Sequence, residues 1–420
     1  MSYKFHIAPR DLLFLRDARP MEASDAGLGA NWPRPDQIWH AFISAFHRRW
    51  PHHQEWEHQH RKNEHDSQAS SDRFGGLKIA GPFPVNTQNG EIYFPCPLDL
   101  SAGDDGTLYP MRLVDGSGSN LPPPLTMAFA SAKIGKNEPP VWISGKNYAE
   151  YLKGVSFAQD KVELYDAERN IGIGIDHETR STVDGRIYQA EYLRFRAETR
   201  MAVQASCDVT GKDRRNVDLF SQIAEEENIP LILGGQQGIA RAYRHDFSLP
   251  ESRIAENDSL LLRWTLLAPA VFPEIKANTE KGIKHHPGGW LPNWIEHESG
   301  QVMLPGQSVE RLPGEERDAW RQRIKNAEKI SARLVAARIG KPVAFSGWDL
   351  QDGPKPTLLA VPAGSVYVFE CASQDELRQL AAVLDWNGGV GDEIRNRRSA
   401  LLGEKGFGIG VCSTINTNLN

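Results

Sequence analysis

A glycine-rich turn that runs into an apolar, strand-like stretch occurs twice in this chain, and the recurrence narrows the folds open to it. The second occurrence is Gly403 to Cys412 (GEKGFGIGVC), which follows Leu377, Leu380, Ala381 and Leu384 at helical spacing. The first is Leu231 to Tyr243 (LILGGQQGIARAY), which follows Val217, Leu219, Phe220 and Ile223, spaced as a short amphipathic helix. Helix, glycine turn and strand in that order at two places mark an internal repeat and predict two copies of one domain. With 420 residues, 40% of them hydrophobic, the chain has the length and apolar content to fill two cores.

The second copy reads as a strand over Leu260 to Phe272, a helix over Glu315 to Arg338, strands over Pro342 to Ser346 and Ser365 to Cys371, a helix over Asp375 to Leu384, the glycine turn and a last strand. That order, βαββαβ, is the split βαβ or ferredoxin-like plan, which RNA-recognition modules share. The first copy fits it once residues about 50–75 and 100–165 are set aside as insertions. The expected fold is therefore α+β, with two ferredoxin-like domains over 1–250 and 251–420.

Tyr3 to Ile7 alternate as a strand and lead into a segment where Arg10, Arg16 and Arg19 are interleaved with Asp11 and Asp17. Arginine forks suit phosphate, and they equally suit local pairing with those aspartates. From Asp36, read as an N-cap after Pro35, the residues Ile38, Trp39, Phe42, Ile43 and Phe46 predict a first helix. It runs into a histidine-dense stretch (His47, His52, His53, His58, His60, His65) whose spacing repeats no metal-ligand pattern and whose polar surroundings predict a solvated loop. Leu77 to Val85 and Ile92 to Pro97 read as proline-interrupted strands suited to sheet edges. Ser101 to Pro140 reads as a long insertion with little regular structure. Arg169 to Arg180 and Ile187 to Arg196, around the hairpin signal Asp184-Gly185, predict a long β-ribbon. Gly172 and Gly174 lack the third glycine and following helix of a dinucleotide loop.

Other features limit the function. The four cysteines (Cys96, Cys207, Cys371, Cys412) are far apart, which fits a reducing cytoplasm better than a disulfide framework or zinc site. Neither a signal peptide nor a membrane span is read, so a soluble, cytoplasmic protein is expected. A net charge of −6 argues against binding nucleic acid by bulk charge, so any RNA contact must be local. In the predicted helix 315–338, Arg317, Arg321, Lys325, Lys329 and Arg333 make a basic stripe opposite Trp320, Ile324, Ala327 and Leu334. Such a stripe is a solvated face or a contact for RNA or an acidic neighbour.

Taken in order, the Arg-Asp-rich start, the ribbon segment Gly185 to Phe195 (GRIYQAEYLRF), the two glycine turns and Pro362 to Phe369 (PAGSVYVF) resemble the RAMP superfamily of CRISPR proteins. Within it, the chain is most similar to the third subunit of the type III-B (Cmr) effector complex. The resemblance spans the whole chain. It implies two ferredoxin-like folds that hold the 5′ handle of the CRISPR RNA beside the large polymerase-like subunit and the backbone RAMP subunit, in antiviral defence. It also implies that this subunit is not the nuclease. The chain departs from the family pattern at Gln236 and Gln237, where a charged residue is expected, and in the absence of a basic residue after the last glycine turn.

Closely spaced glycines let backbone amides approach an anion, which would reconcile RNA binding with an acidic chain. The expected RNA-binding residues are Arg16, Arg19, Arg169, Gly234, Gly235, Gln236, Gln237, Gly238, Arg241, Tyr243, Lys405, Gly406, Phe407, Gly408 and Gly410, with Tyr243 and Phe407 placed to stack on unpaired bases. No catalytic residue, metal or cofactor is expected. The rival readings are a RAMP-type endoribonuclease that processes precursor CRISPR RNA, with His6, His177 or His245 as general base, and a protein scaffold without RNA contact. The composition of His52 to His65 offers little apolar surface to bury. Its deletion is expected to leave the fold and melting temperature intact; a large fall in melting temperature, or stoichiometric zinc binding that the deletion abolishes, would contradict this.

Overall fold

The computed structural model describes residues 1–15, 27–50, 74–131, 135–176, 178–210, 216–235, 237–255, 259–280, 282–306, 314–349 and 353–415. The histidine-dense stretch beyond His47, together with Arg16, Arg19, His177 and Gln236, lies outside them. The described residues form sheets with few helices, an α+β fold.

The first sheet is built around β1 (Tyr3–Pro9), whose Phe5 and Ile7 turn into a core while Lys4 and His6 turn the other way. Its partners are β2 (Leu77–Asn86), β3 (Thr199–Thr210), β4 (Ile229–Ile232) and β5 (Ile239–Arg244), in the order β2-β3-β1-β5-β4, every pair antiparallel. The proline-containing β2 is an edge strand, as its sequence requires. Helix α1 (Pro35–Arg49) lays Ile38, Trp39, Phe42, Ile43 and Phe46 on one face of this sheet. Its N-cap is Arg34, with Pro35 at the first position and Asp36 in the first turn rather than capping; the Gln37 side chain accepts from the Arg34 amide at 2.9 Å.

The second sheet has β6 (Leu261–Leu266), β7 (Ala332–Arg338), β8 (Val366–Cys371) and β9 (Gly410–Thr414) in the order β7-β8-β6-β9, again antiparallel throughout. This repeats the order β2-β3-β1-β5 of the first sheet. Its helix, α4 (Gln374–Leu384), starts where the Ser373 hydroxyl accepts from the Glu376 amide and buries Leu377, Leu380, Ala381 and Leu384.

Several local expectations are corrected. The predicted helix 315–338 is only α3 (Arg317–Asn326), which buries no residue; the chain turns extended at Ala327 and continues as β7. Lys329 and Arg333 therefore do not extend the basic stripe. Helix-favouring Ala, Arg and Leu are overridden there because Leu334, Val335 and Ala336 are buried in cores on the two faces of the sheet. Val343–Phe345 pairs with Leu358–Ala360 outside the main sheet. The helix expected at Val217 to Ile223 is a short strand, Asn216–Asp218, and one 3-10 turn, Phe220–Gln222. Asp218 accepts from the Tyr3 hydroxyl and the Phe220 amide, which fixes a turn. The ribbon pairs Tyr165–Ile175 with Thr182–Phe195, but it turns at Asp176 to Ser181, where the Asp176 carboxylate accepts from two amides; Asp184 and Gly185 are within the strand.

The expected irregular insertion carries structure. Short strands at Leu100–Ala102, Thr107–Pro110, Arg112–Asp115 and Met127–Ala130 are followed by helix α2 (Gly145–Leu152). Leu113, Met127 and Phe129 pack on Val335, Val366 and Val368 of the second sheet. At the centre, Arg263 of β6 meets Asp99 at 3.2 Å, with side-chain exposures of 5% and 2%. Arg263 also donates to the Ser413 hydroxyl (2.9 Å) and the Tyr151 carbonyl (2.8 Å) and lies over the Tyr151 ring, while the Tyr151 hydroxyl donates to Asp99 (2.7 Å). Burial opposes the Arg263 charge, yet Tyr151 and Asp99 hold its pKa raised. Removing one partner of such a pair strands the other. Asp99→Ala is expected to cost about 3–5 kcal/mol in a denaturant titration, and the double change Asp99→Leu with Arg263→Met to cost much less; equal losses would show that pairing is not what stabilises the contact.

Candidate nucleic-acid interface

Each glycine turn leads into the strand that pairs with the first strand of its own sheet: β5 beside β1, β9 beside β6. Their settings differ. The first turn closes the β4–β5 hairpin and keeps Gly234, Gly235 and Gln237 exposed. The Gly235 amide donates to the Phe14 carbonyl at 2.7 Å, and at Gly234, with φ of +79°, a Cβ would lie 2.7 Å from that oxygen. Phe14 in turn packs on Tyr192 of the ribbon, ring centroids 5.4 Å apart, and Leu13 and Leu193 exchange backbone hydrogen bonds. The turn, the segment ending at Leu15 and the ribbon root are thus one assembly, and Arg16 is the next residue along the chain. Arg169 is at that root, largely exposed and 2.6 Å across the ribbon from Glu191, whose side chain is mostly covered.

From the turn, β5 alternates: Ala240 and Ala242 face the core, while Ile239, Arg241 and Tyr243 face outward. Arg241 makes no ion pair among the described residues, and Tyr243 is 43% exposed. Ile232, opposite Ile239 on β4, extends this strip. Ile232 and Ile239 escaped the sequence reading, although β-alternation on either side of the turn carried the signal. A tyrosine face, an arginine and exposed backbone in one strip suit an unpaired nucleotide strand.

The second turn is a correction. Gly406 to Gly410 are buried, and the amides of Lys405, Gly406, Phe407 and Gly408 donate to Leu402, Gly403, Leu402 and Pro269. These amides are already engaged inside the protein. A Cβ on Gly406 would meet Ile79 and Pro35, and one on Gly410 would meet the Trp264 ring, so these glycines serve close packing. Phe407 is fully buried against Phe345, centroids 5.5 Å apart, and presents no face to a base. Lys405 lies over the Trp39 ring, next to the exposed Glu404. The turns also lie at opposite edges of the first sheet, one joining β4 to β5 and the other packed on Ile79 of β2.

Of the three histidines considered as a general base, His177 lies outside the described residues and the other two stack on each other. His6 is buried, stacked on His245 with centroids 3.9 Å apart, and its pKa falls to about 4 through burial first, then His245 and Arg200. Among the described residues, no cluster of His, Cys, Asp and Glu is placed to hold a metal ion.

The sequence pattern of the CRISPR-associated protein (Cas_Cmr3) family matches residues 5–412. The chain belongs to that family, which makes it a subunit of a type III CRISPR effector. Among curated proteins none matches. Of solved structures, the chain is similar to one in a type III-B Cmr-beta bound to cognate target RNA and AMPPnP (15% identity, 87% of this chain and 86% of that one, TM-score 0.39). It is also similar to a chain in a Cmr-beta bound to cognate target RNA (16%, 87% and 86%, TM-score 0.41) and to one in a Csm1–Csm4 cassette with pppApA (14%, 68% and 85%, TM-score 0.27).

Because the Phe407 ring fills a core, Phe407→Ala is expected to cost about 3–5 kcal/mol of stability and to leave guide-RNA affinity unchanged in the folded fraction. A stable variant with weakened RNA binding, measured by thermal melt and filter binding, would reverse the assignment.

Proposed function

We propose that this chain is the non-catalytic subunit of a type III-B (Cmr) RNA-guided effector that holds the 5′ handle of the CRISPR RNA and docks the large polymerase-like subunit beside the backbone RAMP subunit, in antiviral defence in the cytoplasm. The family match carries the complex membership, and the strip from Gly234 to Tyr243 carries the RNA contact. The shared order β5-β1-β3-β2 and β9-β6-β8-β7, with β4 added at the edge of the first sheet, supports two ferredoxin-like domains. Each domain keeps one packed helix, α1 in the first and α4 in the second.

In this reading Tyr243 stacks on a base, Arg241 meets a phosphate, and the exposed turn lets the backbone approach between them. Arg169 adds a cation from the ribbon root, and Arg16, Arg19 and Gln236, outside the described residues, remain contacts expected from the sequence. All four cysteines are buried and free, which supports a reducing compartment. Among the described residues no helix is long and apolar enough to cross a membrane. In binding assays with guides that carry or lack the handle, Arg241→Ala and Tyr243→Ala are each expected to fold normally and to lose about 1–3 kcal/mol of preference for the handle. Unchanged discrimination in both would remove the strip from the interface. The protein is expected not to cleave repeat RNA, and cleavage that His245→Ala abolishes would favour the endoribonuclease reading.

A further inference from the structure

The Lys405 side chain, set apart from the first turn, opens into a cavity of about 370 Å³ lined by Arg34, Asp36 and His40 of the α1 region, Phe345, Lys355 and Lys405. Three segments distant in sequence converge there. Arg34 is held flat, its guanidinium over the Phe345 ring at 4.8 Å and forked on Asp36 at 3.0 and 3.3 Å. Lys405 is 3.3 Å from His40 Nε2, so a neutral His40 accepts one of its three N–H bonds and leaves two for a ligand. Among the described residues Asp36, engaged by Arg34, is the only carboxylate in the lining, and Glu404 stands beside Lys405. The cavity therefore collects more positive than negative charge.

We propose that this cavity binds a phosphate group, carried by an RNA backbone or by a free nucleotide or polyphosphate. Phosphate offers only acceptors, and the lining supplies lysine and arginine donors in a concave site fixed by a buried turn. The electrostatics agree. Burial disfavours the Lys405 ammonium and Lys355 adds to this, while Glu404 and Asp36 favour it without restoring its ordinary pKa. His40 is pushed down to about 4 by its enclosure and by Lys405 and Lys355, against Asp36. An anion relieves both. No handle contact at the first turn is needed for this site, which lies at the opposite edge of the sheet.

The test titrates the full chain at low salt with sodium pyrophosphate and, in a second arm, with a short single-stranded RNA lacking a terminal phosphate. His40 ring signals are followed by NMR and assigned by their loss in His40→Gln. The expected result is a His40 shift in at least one arm, with affinity weakened about tenfold in Lys405→Ala and in Lys355→Ala. A response to RNA alone identifies a backbone phosphate as the ligand, and a response to pyrophosphate alone identifies a free one. Lys355 is exposed, so its variant tests the site even if Lys405→Ala disturbs packing on Trp39. A His40 signal unmoved in both arms, or unchanged affinity in either lysine variant that folds, overturns the proposal. Loss of handle preference in Arg241→Ala bears only on the other surface.

Discussion

The ion pair between Arg263 and Asp99 ties the long segment between β2 and the ribbon to the second sheet. A guanidinium is hard to bury, and here each polar side of it is answered: Asp99, the Ser413 hydroxyl and the Tyr151 carbonyl, with the Tyr151 ring beneath. Full satisfaction is what makes such burial tolerable. Asp99 and Tyr151 come from the long segment between β2 and the ribbon, whereas Arg263 and Ser413 belong to the second sheet. The segment that sequence alone would set aside as an insertion is thereby a structural part of the second half.

The same logic runs through the core between the halves. Phe83 and Ala202 from the first sheet share one apolar cluster with Tyr148 and Tyr151 of α2 and with Ile409 and Val411 near the last strand. The second glycine turn is inside this arrangement, not on its surface. Its glycines bring the backbone against Ile79 and Trp264 at distances that no side chain would allow. The first turn stays outside: among the described residues no element covers Gly234, Gly235 and Gln237, which are exposed.

Much of this was legible in the sequence, for identifiable reasons. Helix α1 was, because five large apolar residues recur at helical spacing behind a proline, and the ribbon was, because Ile187 to Arg196 alternate in sequence, although its turn was expected at Asp184-Gly185. Strand β7 was not: Ala332 to Arg338 has helix-favouring composition, and its partner β8 is about thirty residues away, so only tertiary pairing reveals it. Glycine spacing likewise shows that a turn is tight without showing where its amides point. Hence two turns read alike in sequence differ in the structure, the first exposed and the second, with Phe407, buried. The cavity at Lys405 left no trace, since Arg34, His40 and Lys355 have no mutual spacing.

Hydrogen–deuterium exchange on the assembled effector, with guide RNA and with a guide lacking the handle, tests the central claim most directly. Exposed amides at a nucleic-acid contact slow when the ligand covers them. The account predicts handle-dependent protection at the exposed first turn, Gly234 to Gly238, with the β5 amides, paired between β1 and β4, and those of Gly406 to Gly410, already buried, slow in both states. Protection appearing at the second turn, or exchange at Gly234 to Gly238 that ignores the handle, would contradict it.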